Sequence, residues 1–215
     1  MKRTLTTIFV VFSVILATST ANAQLFNIGV GGGLTKITGP NSFTDDVSSL
    51  GRGYSSEYNF GVMAKLGLPI IPLTPRGFIL YHKLNGSGIP PMTTLTKRSS
   101  VFDGTIEYSQ SILQMGAGLQ FDFIPVPVGF SPYFSFDLTY NSFGDTKITG
   151  AVDSTITGNS RFGLQLGLGT EVTIIPVVNL NVFASYGWFN LIGKDADEKT
   201  ITAFTVDAFL MFSFL

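Results

Sequence analysis

Apolar and polar residues alternate along most of this chain. The pattern is cleanest at Ser111 to Phe123, where Leu113, Met115, Ala117, Leu119, Phe121 and Phe123 interleave with Ile112, Gln114, Gly116, Gly118, Gln120 and Asp122. A period of two marks a β-strand with unlike faces. A soluble sheet would show lysine and glutamate on its polar face, but here that face is glycine, glutamine and aspartate. The pattern fits a strand whose apolar side meets lipid and whose small, hydrogen-bonding side lines a narrow lumen.

Seven more segments repeat the alternation. The first, about Phe26 to Ile37, has Phe26, Ile28, Val30 and Leu34 on its apolar face, and the second sets Tyr58, Phe60, Val62, Ala64 and Leu66 against Asn59, Gly61, Met63, Lys65 and Gly67. The fifth sets Phe134, Phe136, Leu138 and Tyr140 against Ser135, Asp137, Thr139 and Asn141. In the sixth, Phe162, Leu164, Leu166 and Leu168 oppose Arg161, Gly163, Gln165 and Gly167. The seventh carries Leu180, Val182, Ala184, Tyr186 and Trp188, and the eighth, Phe204 to Phe214, carries Val206, Ala208, Leu210, Phe212 and Phe214 opposite Thr205, Asp207 and Ser213.

Long polar connections at Gly39 to Ser56, Asn85 to Thr105, Ser142 to Asn159 and Gly193 to Thr200 alternate with short ones at Pro69 to Gly77, Ile124 to Ser131 and Ile175 to Val178. That alternation predicts an all-β, eight-stranded antiparallel up-and-down transmembrane barrel, with short periplasmic turns and long extracellular loops. Pro72, Pro127 and Pro176 recur in the short connections, so the repeat unit is one hairpin. The third strand is mixed. Aligned to the fifth through the repeat, it matches Phe78 to Phe134 and Leu80 to Phe136, which turns His82 toward lipid and Lys83 toward the lumen.

Aromatic residues gather toward strand ends. Tyr58, Tyr140, Tyr186 and Trp188 lie near the long loops, and Phe121, Phe123, Phe134, Phe212 and Phe214 near the short turns or the terminus. Two belts at the two membrane interfaces are expected.

Targeting and composition agree with an exported membrane protein. Lys2 and Arg3, the apolar run Ile8 to Leu16 and Ala21-Asn22-Ala23 form a signal peptide over residues 1–23, implying Sec export. The mature barrel domain is expected over residues 24–215, starting at Gln24, which is not the cysteine of a lipoprotein. The chain is 45% hydrophobic and 13% charged, against roughly 25% charged in soluble domains, yet no mature stretch approaches a helical span. Strands in lipid reconcile these facts. With no cysteine, neither a disulfide nor a thiolate metal site is available. A net charge of −1, or −3 once Lys2 and Arg3 are removed, gives no case for nucleic-acid binding.

With its signal peptide, alternating strands, unequal connections and aromatic-rich last strand Val206 to Leu215, the mature chain resembles the small eight-stranded outer-membrane β-barrel families that include the OmpA transmembrane domain and OmpX. The resemblance implies contact with outer-membrane lipid and lipopolysaccharide, and recognition of the last strand by the barrel-assembly machinery. This chain departs from the usual terminal aromatic, ending in Leu215 with Phe214 before it. Because it ends on its last strand, no separate peptidoglycan-binding domain is expected.

The inward set supplies cations Lys65, Lys83 and Arg161 and anions Asp122, Asp137, Glu171 and Asp207. Eight strands enclose only enough room for side chains, and buried ions need partners, so these charges are expected to form a salt-bridged plug. A narrow gated ion path is the alternative use of the same residues. Lipid A-modifying hydrolysis, known among eight-stranded barrels, needs a histidine-based site, and the one histidine, His82, has no evident serine or glutamate neighbour. A non-enzymatic role without cofactor or metal is therefore expected; the pair Asp45-Asp46 and the triplet Asp195, Asp197 and Glu198, whose alternative use is to hold Ca²⁺ loosely from the loops, read as solvated loop charges. Specificity is expected in the loops, including a second loop with Pro90-Pro91 and Lys97-Arg98.

Overall fold

The computed structural model describes residues 26–68, 71–91, 104–124, 129–150 and 153–214. The signal-peptide assignment, Pro127 of the hairpin repeat, and Lys97 and Arg98 lie outside the described residues.

Eight long strands form the wall: β1 (Phe26–Gly39), β2 (Ser56–Leu66), β3 (Leu73–Gly88), β4 (Ile106–Asp122), β5 (Phe130–Phe143), β8 (Ser160–Ile175), β9 (Val178–Ile192) and β10 (Thr202–Phe214). Between β5 and β8, two short strands, β6 (Thr146–Thr149) and β7 (Ser154–Ile156), make a hairpin in the third long loop. Every wall strand pairs antiparallel with its neighbours, and β10 returns to β1, so the sheet closes on itself. Closure satisfies the backbone within the wall, which is the condition for crossing hydrocarbon with strands.

The burial pattern follows the alternation. Along β10, buried Ala203, Thr205, Asp207, Phe209 and Met211 interleave with exposed Phe204, Val206, Ala208, Leu210 and Phe212. The outward set of β5, from Phe130 through Phe134, Phe136 and Leu138 to Tyr140, is apolar. At 3.4 Å per residue and the usual strand tilt, that set makes a band about 25 Å tall.

The third strand has the opposite orientation from the one its hairpin repeat predicts. Phe78, Leu80, His82 and Leu84 are buried in the lumen, whereas Ile79 and Tyr81 face outward and Lys83 is only partly covered. The reason lies below Phe78. Β3 begins at Leu73 rather than after Gly77, so Arg76 belongs to the strand and shares the face of Phe78 and His82. Two polar groups on that face, one a guanidinium, outweigh one lysine near the loop end of the other. Two long connections are also shorter than predicted, since β3 continues to Gly88 and β5 to Phe143.

The β2–β3 ladder is the shortest of the eight, running from Asn59–His82 to Lys65–Arg76. Toward the loops, β2 stays with β1 as far as Ser56 and β3 with β4 as far as Gly88. The first loop fills the wedge with Val47 against Gly88. A polar cleft of about 540 Å³ remains there, lined by Ser55, Glu57, Asn85, Ser87, Glu107 and Tyr108 among others.

Candidate functional site

The lumen is stratified, and each layer follows from which inward residues the register brings level. Near the short turns, Lys65 of β2 forms an ion pair with Glu171 of β8 and donates to Gln120 Oε1 at 2.7 Å. Its ammonium lies 4.7 Å from the centre of the Tyr133 ring. Gln120 in turn donates to Asp122 at 2.6 Å, and Thr74 does so at 3.2 Å.

Next comes an apolar layer of Met63, Phe78, Leu80, Tyr133, Phe183, Phe209 and Met211. Phe78 fits because the facing residue is Gly116: its ring occupies the place a Cβ at 116 would take. Within this layer lies a buried ion pair in which Arg76 Nε and Nη2 donate to the two oxygens of Asp137 at 2.7 and 2.5 Å. Neither side chain has any exposed surface. The Arg76 guanidinium also lies 5.1 Å from the centre of the Phe183 ring. Bidentate geometry is what makes such a pair tolerable away from water.

A polar band follows. Asn59 Nδ2 donates to Asp207 Oδ1 at 2.7 Å and to Thr35 Oγ1 at 2.9 Å, and the Thr35 hydroxyl is 2.8 Å from His82 Nδ1. Gln114 Oε1 can only accept, so His82 Nε2, 3.2 Å away, donates to it, while the Thr35 hydroxyl bonds the other ring nitrogen. Both ring nitrogens are thereby occupied. Gln165, Ser185 and Thr205 extend the band.

A second apolar layer, with Ile37, Tyr54, Leu84, Ile112, Phe143, Phe189, Ile201 and Ala203, closes the loop end. Above it the loops form a mouth. Arg161 donates to Glu198 Oε2 from Nη2 at 2.7 Å and from Nε at 3.0 Å, and reaches Asp195 at 3.2 Å. Asn190 holds the other Glu198 oxygen at 2.7 Å and accepts from the Ile201 N–H at 2.6 Å. Partial burial pushes the Glu198 carboxyl up, but hydrogen bonds from Arg161, Asn190 and the Asp195 backbone outweigh it and hold Glu198 below the usual range.

The sequence model of the outer membrane protein beta-barrel domain family matches residues 7–212. The chain belongs to that family. It is a β-barrel protein of the bacterial outer membrane. Two solved relatives share the fold of this outer membrane protein beta-barrel domain. Neisserial surface protein A is 18% identical with a TM-score of 0.54, and the match covers 88% of this chain and 97% of that one. A major outer membrane protein from Thermus thermophilus is 13% identical with a TM-score of 0.57, covering 88% and 99%. Comparison with curated proteins finds no match.

Against this family architecture, Lys65, Asp122, Asp137, Glu171 and Asp207 point into the barrel. Lys83 does not. It lies on the outer face, level with Ser111 of β4, and Arg76 is the second lumen cation in its place. Arg161 faces inward at the rim, but its partners Asp195 and Glu198 belong to the last loop rather than to the lumen. Tyr58, Phe121, Phe123, Phe134, Tyr186, Phe212 and Phe214 are exposed, and Tyr140 and Trp188 partly exposed. Tyr140 stacks edge-on to Phe162 and Trp188 to Tyr186. Sequence reasoning missed Arg76, which it placed in a turn. The signal was available in parity, since Arg76 and His82 share an even-numbered face.

Proposed function

We propose that this protein is a structural and surface-interaction barrel, its lumen a plug and its long loops the part that meets other molecules. The observation that carries the reading is the pair of apolar layers that cross the lumen above and below its polar band. An ion on a path along the axis would have to pass Phe78, Phe183 and Phe209 and then Phe143 and Phe189. The ion pairs Lys65–Glu171 and Arg76–Asp137 further support a static interior, because breaking either would strand a buried charge. His82 has no exposed surface and both nitrogens engaged, which supports a structural rather than a hydrolytic role for it.

By the rule of such barrels, the short turns face the periplasm and the long loops the exterior, beside lipopolysaccharide. Sec export with cleavage before Gln24, and recognition of β10 by the barrel-assembly machinery, belong to the same reading. Planar-bilayer recording tests its centre: the purified protein is expected to give no steady conductance. A steady conductance that changes with Asp137→Asn would replace the plug by a channel.

A further inference from the structure

Above the second apolar layer, the loops enclose a cleft of about 520 Å³, within the range of small-molecule sites. Phe43, Phe143 and Ile201 form an apolar wall continuous with the layer beneath, so the cleft is blind. Beside this wall stands Arg52, whose backbone is fixed within the first loop. Its N–H donates to Ser42 O at 3.1 Å, and the next residue but one, Tyr54, donates to Phe43 O at 2.9 Å. The guanidinium lies 4.4 Å from the centre of the Phe43 ring.

Among the described residues the contacts of the Arg52 side chain are long and neutral: Nη1 reaches Gln110 Oε1 and Thr146 Oγ1 at 3.4 and 3.5 Å, and the Tyr54 hydroxyl shares a hydrogen bond with the guanidinium. The ion pairs among the described residues leave it without a carboxylate. Arg161, on the same cleft, is held by two. A guanidinium stacked on Phe43, with neutral partners and no carboxylate among the described residues, next to an apolar wall, is short of an anion that also has an apolar body. The charges on the cleft lining balance, Arg52, Arg161 and Lys199 against Asp195, Asp197 and Glu198, so a second negative charge on the ligand would be opposed.

We propose that this cleft binds a small organic monoanion, its carboxylate on the Arg52 guanidinium and its apolar part on Phe43, Phe143 and Ile201. The site does not depend on the plug. Conductance decides the one and ligand titration the other.

Benzoate, benzyl alcohol and inorganic phosphate are titrated into the purified barrel in detergent, followed by NMR shifts of loop amides. Saturable binding of benzoate, with neither benzyl alcohol nor phosphate matching it, is expected. Arg52→Gln should weaken benzoate at least about tenfold, and Lys147→Gln, which removes a loop cation outside the cleft, should leave it unchanged. If Arg52→Gln fails to fold, Arg52→Lys keeps the charge without the planar fork and should weaken binding severalfold. Absence of saturable benzoate binding, equal loss in Arg52→Gln and Lys147→Gln, or wild-type affinity in the Arg52 variants overturns the site. Phosphate binding as tightly as benzoate overturns the apolar half of it.

Discussion

The Arg76–Asp137 pair shows what a charge does inside a barrel this narrow. Each partner alone is a liability and together they are neutral, so removing one should cost more than removing both. Asp137→Asn or Arg76→Met alone is expected to destabilise the barrel by about 3–5 kcal/mol, and the double replacement by much less. Guanidinium unfolding of the protein in lipid vesicles measures this; a double variant no more stable than the singles would deny the coupling. Packing sets a second residue-scale test. At Gly116 an added methyl group meets the Phe78 ring, whereas at Gly77, on the other side of the wall, its nearest neighbour is Gly116 O at 3.6 Å. Gly116→Ala should therefore cost about 1–3 kcal/mol from overpacking, and Gly77→Ala should be close to neutral in the same assay.

At the scale of elements, the last loop is the clearest case of a segment held by few contacts. Glu198 joins Arg161 of β8 to Asn190 of β9, and Asn190 accepts the Ile201 N–H just before β10. The Glu198 carboxyl is held below its ordinary range, so its ionised form favours the closed loop. That contribution is complete above the unfolded-state value and disappears as pH falls through the lowered folded-state value. The Ile201 amide should stay protected at neutral pH and exchange faster only in acid below the usual glutamate range, whereas Glu198→Gln should leave it less protected throughout. An amide equally protected in both proteins at neutral pH would remove Glu198 from this role.

Elements also show what alternation can reveal. Seven of the wall strands announced their faces because most of their inward positions were small or polar and their outward positions apolar. The third strand did not, since its lumen face carries Phe78, Leu80 and Leu84, which pack against inward glycines and aromatic residues contributed by other strands. Whether a phenylalanine meets lipid or a glycine across a lumen is decided by tertiary neighbours. Arg76 was the local clue, hidden by its place beside Pro75. The mouth was less legible still. Arg52 and Phe43 sit in an aperiodic loop, and their stacking depends on the backbone bonds that fold the loop onto itself.

For the whole molecule, the decisive arrangement is vertical. The outward lysines Lys36 and Lys83 stand at the loop end, level with Ser56 and Ser111, and the outward face of β5 below that level is apolar down to Phe130. A charge should therefore cost little at the rim and a great deal halfway down. Leu138, 63% exposed on the outer face of β5, lies halfway along its strand. Leu138→Arg is expected to destabilise the barrel in lipid vesicles by about 2–4 kcal/mol, and Lys83→Ala by no more than about 1 kcal/mol. In a sheet whose outer face met water, an exposed leucine would accept arginine almost freely. Equal, small costs at the two positions would therefore mean that hydrocarbon does not surround this wall.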